Sequence, residues 1–383
     1  MTSVDVAVIG RGPIGSAAAR HLAEMGVSTA LIGPGEPVDR ATSAGPFSSH
    51  ADEGRITRIT ARNVVWSELA SRSILRYGDI AHRADIDFHV SRGLAVVRPD
   101  IDDWIDAGLI NGSNVRKVDA DWLRQSTGID VRNGLPMAYE GAPAGYINPR
   151  RLVAAQTKLA ATAGATIVDR PVEAVEPIAG GYEIAGPWGA IRADRLLVAT
   201  GAFGRGLLEG QLVFDRVPRT TLMAEMADSA HLPSLIMAQP PDGRLESIHW
   251  VPPVRYPDGR MCLKIGGSLG SQPRFEGSDD AEIIEWFHGQ GDPVEIEALE
   301  ASLRELLPDA ELGSLTSAPC VITNTPSGYP YIGWLNDGLA VAIGGNGEAA
   351  KSSDEIGRLA ATLFAADGWT DSLDQSLFAP QLA

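Results

Sequence analysis

Six residues near the N-terminus constrain the fold more than any others. Gly10-Arg11-Gly12-Pro13-Ile14-Gly15 follows the continuous apolar run Val4–Ile9, and Ile14, Ala18, Leu22 and Met25 then recur at helical spacing up to Gly26. In that setting Gly10 allows a tight turn, Gly12 lets the backbone approach a pyrophosphate, and Gly15 lets the helix lie close on the strand. The helix start adds amides and the positive end of its dipole. Pro13 suits the first helical turn, Gly26 the position after its end, and Ser28–Ile32 reads as a second buried strand. The segment is therefore a βαβ dinucleotide-binding unit, with Gly10, Gly12, Pro13, Ile14 and Gly15 as expected cofactor contacts. The second strand ends at Gly33, where such units place a ribose-binding carboxylate, and Glu36 is the candidate replacement.

The remainder has to supply one or two further units, since the chain has 383 residues. A net charge of −17 disfavours nucleic acid and anionic lipid as partners. No basic leader precedes Val4 and no apolar stretch approaches the ~20 residues of a membrane span, so a cytoplasmic enzyme is expected. The two cysteines, Cys262 and Cys320, are too few for a disulfide framework, and the seven histidines lack metal-ligand spacing. No metal is expected. Only four lysines occur, Lys117, Lys158, Lys264 and Lys351, against a background in which arginine supplies the cations.

Helical patterns at 62–83 and Arg150–Gly164 flank a 86–145 insertion of short strands and acidic, Trp-containing stretches. The strand Arg195–Thr200 leads back to the first unit. Strands Ile248–Val251 and Met261–Ile265 and helices near Ala281–His288 and Ile296–Leu307 predict a second one. Strand Leu339–Ile343, loop Gly344–Gly347 and helix Ala349–Phe364 close the chain in α/β character.

Five segments carry a resemblance that runs nearly end to end. They are Ser49-His50-Ala51-Asp52-Glu53-Gly54-Arg55-Ile56-Thr57-Arg58, Ala193–Ala202, Met261-Cys262-Leu263-Lys264-Ile265-Gly266, Ala318-Pro319-Cys320-Val321-Ile322-Thr323-Asn324-Thr325-Pro326, and Gly344-Gly345-Asn346-Gly347-Glu348-Ala349-Ala350-Lys351. Together they resemble the sarcosine oxidase group of the D-amino acid oxidase family. The resemblance implies bound FAD, with Ser49, His50, Arg55, Val172, Thr200, Gly201, Gly345, Asn346, Gly347 and Lys351 around it and a thioether from Cys320 to the flavin. It places Lys264 at the flavin as the oxygen-activating group, alongside Arg55, and gives Arg58 and Lys351 a substrate carboxylate. A fixed cation in a dry pocket stabilises charge developing on oxygen by ~3–4 kcal/mol. Arg55 and Lys264 would lower the pKa of the Cys320 thiol. Trp250, Ser268, Ile322 and Glu348 stand where the group carries other side chains, which implies a remade substrate pocket. Glu348 admits two charge patterns: it neutralises Lys351, or it holds a cationic group of the substrate.

The expected architecture is α/β. A Rossmann-like FAD domain of the glutathione reductase type spans 1–88, 147–215 and 321–383, and an α+β substrate domain with an antiparallel sheet spans 89–146 and 216–320. The expected reaction is oxidation of a secondary amine or cyclic imino acid bearing a carboxylate to an imine, with O2 reduced to hydrogen peroxide, by a monomer. A nicotinamide-dependent or FAD-dependent dehydrogenase with another acceptor, and a non-catalytic flavin-binding subunit, are the alternatives.

Overall fold

Strand Thr2–Ile9 is buried on both faces from Val6 onward, as its unbroken apolar run requires, and lies between Thr29–Ile32 and Gly189–Val198, parallel to both. The sheet continues through Thr166–Val168 on one side and the antiparallel Gly181–Gly186 and Ala174–Ile178 on the other; Leu339–Ile343 also joins Gly189–Val198 and pairs with Tyr331–Asn336. The computed structural model describes residues 2–46, 50–208, 212–270, 273–275 and 280–383.

Helix Pro13–Glu24 starts with proline in its first turn and buries a run of small residues, Gly15 to Ala19. These let helix Ala349–Thr362 come close: a Cβ on Gly357 would lie 2.6 Å from the Ala18 amide nitrogen. Asp354 on the same helix is wholly buried and receives Arg20 from the first helix at 2.7 Å and Arg76 from helix Val64–Ala84 at 2.5 Å. Gln156 of helix Pro149–Thr162 donates to it at 2.8 Å. A buried carboxylate with this many donors ties four helices together, and removing Arg20 or Arg76 leaves its charge only partly compensated.

The second sheet runs in the order Leu315–Asn324, Asp215–Glu225, Met261–Leu269, Leu245–Arg255, Ser234–Ala238, Leu94–Val97, Met137–Glu140, Arg116–Val118. It is antiparallel apart from the parallel pair Ser234–Ala238 with Leu94–Val97. One face is apolar and packs Leu222, Ile248, Leu263 and Ile265 against Ala298, Leu299 and Leu303 of helix Pro293–Leu306. A small sheet of Arg55–Thr57, Gly145–Ile147 and His89–Ser91 carries Arg55. Within the insertion the acidic stretches form helices, Ile101–Ile110 and Ala120–Thr127, the second capped by Asp119 accepting from the Trp122 amide. No helix among the described residues is long and apolar enough to cross a membrane.

Candidate active site

A cavity of about 830 Å³ has walls from both sheets. Gly10, Gly12, Pro13 and Ile14 line it at the glycine turn. Only glycine fits this turn: Gly10 has φ +111° and a Cβ there would lie 2.4 Å from the Ala199 carbonyl oxygen, while a Cβ on Gly15 would sit 1.8 Å from Gly10 O. Gly15 therefore shapes the turn from behind and is not itself on the wall. Val172, Thr200 and Gly201 line the same cavity, and Thr200 Oγ1 is buried with no hydrogen-bond partner among the described residues. Glu36 is not on the wall. Its carboxylate is taken by Arg150 at 2.7 Å, which corrects the expected ribose role. Arg11 instead braces this end, donating to Gly33 O at 3.0 Å and pairing with Asp169 at 2.5 Å.

The opposite wall is the polar face of the second sheet. Strand alternation decides which side chains reach it. On Met261–Leu269, Leu263 and Ile265 enter the core, so Lys264 and Ser268 point to the other face. On Leu245–Arg255, Ile248 and Trp250 enter the core, so His249 faces the cavity and lines it. Trp250 is fully buried with its indole N–H on Pro233 O at 2.9 Å, so the expectation that it meets substrate is corrected. Trp250→Ala should cost stability by ~3–5 kcal/mol in urea unfolding. Trp250→Phe, which keeps a ring in the core, should lose only part of that stability.

Cys320 and Ile322 line the cavity from strand Leu315–Asn324, with Cys320 in register with Arg219 of Asp215–Glu225. Arg55 Nη2 lies 3.8 Å from Cys320 Sγ and its Nε 3.3 Å from Asp52. The Lys264 ammonium, almost wholly buried behind the wall, donates to Asp52 and to Gly54 O, and Tyr256 donates to the other Asp52 oxygen at 3.1 Å. Burial pushes Lys264 down to about 8 against the pull of Asp52. Burial works against ionisation of Asp52 as well, yet Lys264 and Arg55 hold its carboxyl well below the usual range. Burial, then Lys264, Arg55, Arg219 and Arg58, drives His249 down to about 3, so its imidazole is neutral. His50, also on the wall, is lowered to about 4 by burial.

Arg58 Nη2 donates to both oxygens of Glu348 at 2.9 Å, and Lys351 Nζ donates to Glu348 Oε2 and, at 3.1 Å, to its backbone carbonyl. The Arg58 guanidinium carbon sits 4.7 Å from the Trp104 ring centre. Burial disfavours the Glu348 anion, but Arg58 and Lys351 hold its carboxyl well below the usual range, while burial lowers Lys351 to about 8. None of Arg58, Glu348 and Lys351 lines the cavity; Gly345 and Gly347 do. The arrangement realises the first of the two charge patterns open to Glu348, with both expected carboxylate ligands held by the chain's own carboxylate. Asn346 (φ +49°) also lies off the wall, donating to Gly344 O at 2.8 Å and accepting from the Thr325 amide at 3.0 Å, so it holds the loop. Ser268 is off the wall too, and Ser49 lies outside the described residues.

Asp52, Tyr256, His249 and Arg219 were not among the expected site residues. Asp52 lies inside the 49–58 loop three residues before Arg55, and His249 follows from the parity of its strand once Trp250 is assigned to the core. Arg219 and Tyr256 carry no local signal.

A glycine-turn cradle on a parallel sheet, closed by a second sheet with buried cations and a thiol, is the layout of a two-domain dinucleotide-binding redox enzyme. Residues 5–363 match the model of the FAD dependent oxidoreductase (DAO) family, and the chain belongs to that family. It is 25% identical to the monomeric sarcosine oxidase of Streptomyces avermitilis, over 94% of this chain and 93% of that one. Its fold is that of NikD, an unusual amino acid oxidase essential for nikkomycin biosynthesis (19% identity, TM-score 0.77, 100% of this chain and 98% of that one). The L-proline dehydrogenase of P. horikoshii is similar in the same way (14% identity, TM-score 0.78, 99% and 97%). The glycine cradle and the orphaned Thr200 hydroxyl fit FAD: Gly10, Gly12 and Thr200 offer it backbone and a polar partner, and Gly345 and Gly347 offer backbone from the far segment.

Proposed function

We propose that the protein oxidises the C–N bond of a small secondary or cyclic amine to an imine and passes the electrons to O2, releasing hydrogen peroxide. FAD supplies the hydride acceptor, and the chain supplies position and electric field. The observation that carries this reading is the cation set on the cavity side of the second sheet, where Lys264 and Arg55 share Asp52 and Arg55 touches Cys320. A preorganised buried cation at this place favours charge arriving on oxygen. Cys320 Sγ, on the wall, is the proposed point of flavin attachment.

His249 supplies a neutral ring nitrogen at the cavity that orients the amine. With a pKa near 3 it takes no proton from the amine at neutral pH, so the reactive free base forms by loss of that proton to solvent and flavin reduction should accelerate as pH rises through the amine's own pKa. The test is anaerobic mixing of the purified yellow protein with a panel of secondary and cyclic amines. Bleaching of the visible flavin band by at least one of them is the expected result, and a panel-wide failure to bleach sinks the proposal. A second reading, with an acceptor other than O2, is favoured by one observation: Asp52 already compensates the Lys264 charge.

A further inference from the structure

Asp52 is buried, and its two oxygens meet different kinds of donor. Oδ2 meets two cations, the Lys264 ammonium and Arg55 Nε at 3.3 Å, while Oδ1 meets two neutral donors, the Glu53 amide at 2.8 Å and the Tyr256 hydroxyl at 3.1 Å. One carboxylate thus faces two cations, and the three groups together keep a net positive charge. Tyr256 reaches Asp52 from a distant part of the chain. It directly follows strand Leu245–Arg255, which carries His249, and opens the turn into Met261–Leu269, which carries Lys264. Its amide donates to Arg260 O at 2.9 Å, and its carbonyl accepts from the Gly259 amide at 2.9 Å. The strand before it is pressed onto the Asp52 loop at Gly54, where a Cβ would lie 2.6 Å from Val251 Cγ1. The turn and this close approach together fix the place of the phenol, which is not on the cavity wall.

We infer that Tyr256 is a positioning residue for the reaction of the reduced enzyme with O2: its hydroxyl draws the Asp52 charge toward Oδ1 and so sets how strongly the carboxylate holds the Lys264 ammonium. The inference rests on the oxygen role of Lys264 in the amine-oxidase reading. A hydrogen bond donated to one oxygen stabilises the carboxylate anion and spends part of its charge on a neutral partner. Without that bond the charge returns to Oδ2, and the ammonium is favoured over the free amine. Burial and Asp52 both oppose ionisation of the phenol, so it remains a donor over the range in which Lys264, lowered by burial to about 8, titrates. The other titratable and charged groups acting on Lys264 are Arg55, beside Asp52, and Cys320 on strand Leu315–Asn324; His249 on Leu245–Arg255 faces it as a neutral ring. Tyr256 itself faces Asp52, Arg55 and Cys262.

The chain has only four lysines, so the flavin-loaded protein labelled with 13C at the lysine ε-carbon gives few NMR signals, and Lys264→Met identifies the one to follow. The pH midpoint of that signal should move upward in Tyr256→Phe, by on the order of half a unit to one unit, while Lys117 and Lys158 stay where they are. In Asp52→Asn the midpoint should move downward. Adding Tyr256→Phe to Asp52→Asn should then change nothing further, because the phenol acts only through the carboxylate. Stopped-flow reoxidation, started from enzyme reduced with dithionite so that the amine reading stands or falls separately, should lose rate at the same midpoint in each protein. A midpoint that stays or falls in Tyr256→Phe overturns the inference, and so does an equal upward shift in the Asp52→Asn background. A midpoint that rises while the loss of reoxidation rate keeps its wild-type pH refutes the oxygen role of Lys264 and takes the inference with it. Should Asp52→Asn fail to fold or to hold FAD, Tyr256→Phe decides alone through the direction of its shift.

Discussion

Cys320→Ala is expected to convert a flavin that stays with the acid-precipitated protein into one that leaves with the supernatant, completely rather than by degrees. Cys320 lies on the cavity wall, and the guanidinium of Arg55 approaches its sulfur to 3.8 Å. The sulfur is buried as well as on the wall, so a group bound in the cavity meets it while competing oxidants are kept away. Cys262, the other cysteine, serves as the internal control: it is buried, off the wall, and its thiol is pushed up by burial. Cys262→Ala should keep the colour in the pellet. A yellow supernatant from wild type, or a yellow pellet from Cys320→Ala, refutes covalent attachment at this residue.

Lys264→Met should slow reoxidation of the reduced flavin by O2 on the order of 10²–10³-fold while leaving anaerobic reduction much less affected, because one preorganised charge is lost. The sign of the pH dependence follows from the lysine. Its pKa is lowered to about 8 by burial, so the ammonium is present below that pH and the charge disappears above it. Wild-type reoxidation should therefore decline as pH rises through about 8, and the methionine variant should show no such step. Stopped-flow reoxidation measured across that range checks both. A variant that reoxidises near the wild-type rate argues that Asp52 has cancelled the charge that matters, and that the electrons go elsewhere.

The nucleotide-binding unit was legible because its signals are local: an apolar run, three glycines and a helical repeat within residues 4–32. The parallel pairing of Thr2–Ile9 with Thr29–Ile32 is the structure those signals demand. The second sheet was harder, since Leu94–Val97, with Met137–Glu140 and Arg116–Val118 beside it, joins the much later strand Ser234–Ala238, and no local pattern specifies that neighbour. Trp250 was misplaced because similarity of position says nothing about parity: one residue along a strand exchanges the cavity for the core. The acidic helices at Ile101–Ile110 and Ala120–Thr127 were missed because their apolar stripe is short and their acidic residues read as loop. The carboxylates of Asp52 and Glu348 were visible as residues, but their partners Lys264 and Arg58 come from 212 and 290 positions away. Pairing over that distance is a property of the packed molecule.

Helix Ala349–Thr362 touches the glycine-turn helix through Gly357, is anchored by Asp354 to the helices that carry Arg20 and Arg76, and begins beside the loop that lines the cavity at Gly345 and Gly347. It works as a measuring rod. The span between the nucleotide cradle and the loop at the other end is gauged inside the protein, by a contact too close for even one added methyl group. The cavity face of the second sheet takes no part in that contact. His249 and Ile322 line the cavity away from that contact, so exchanging them leaves the setting of the cofactor frame untouched.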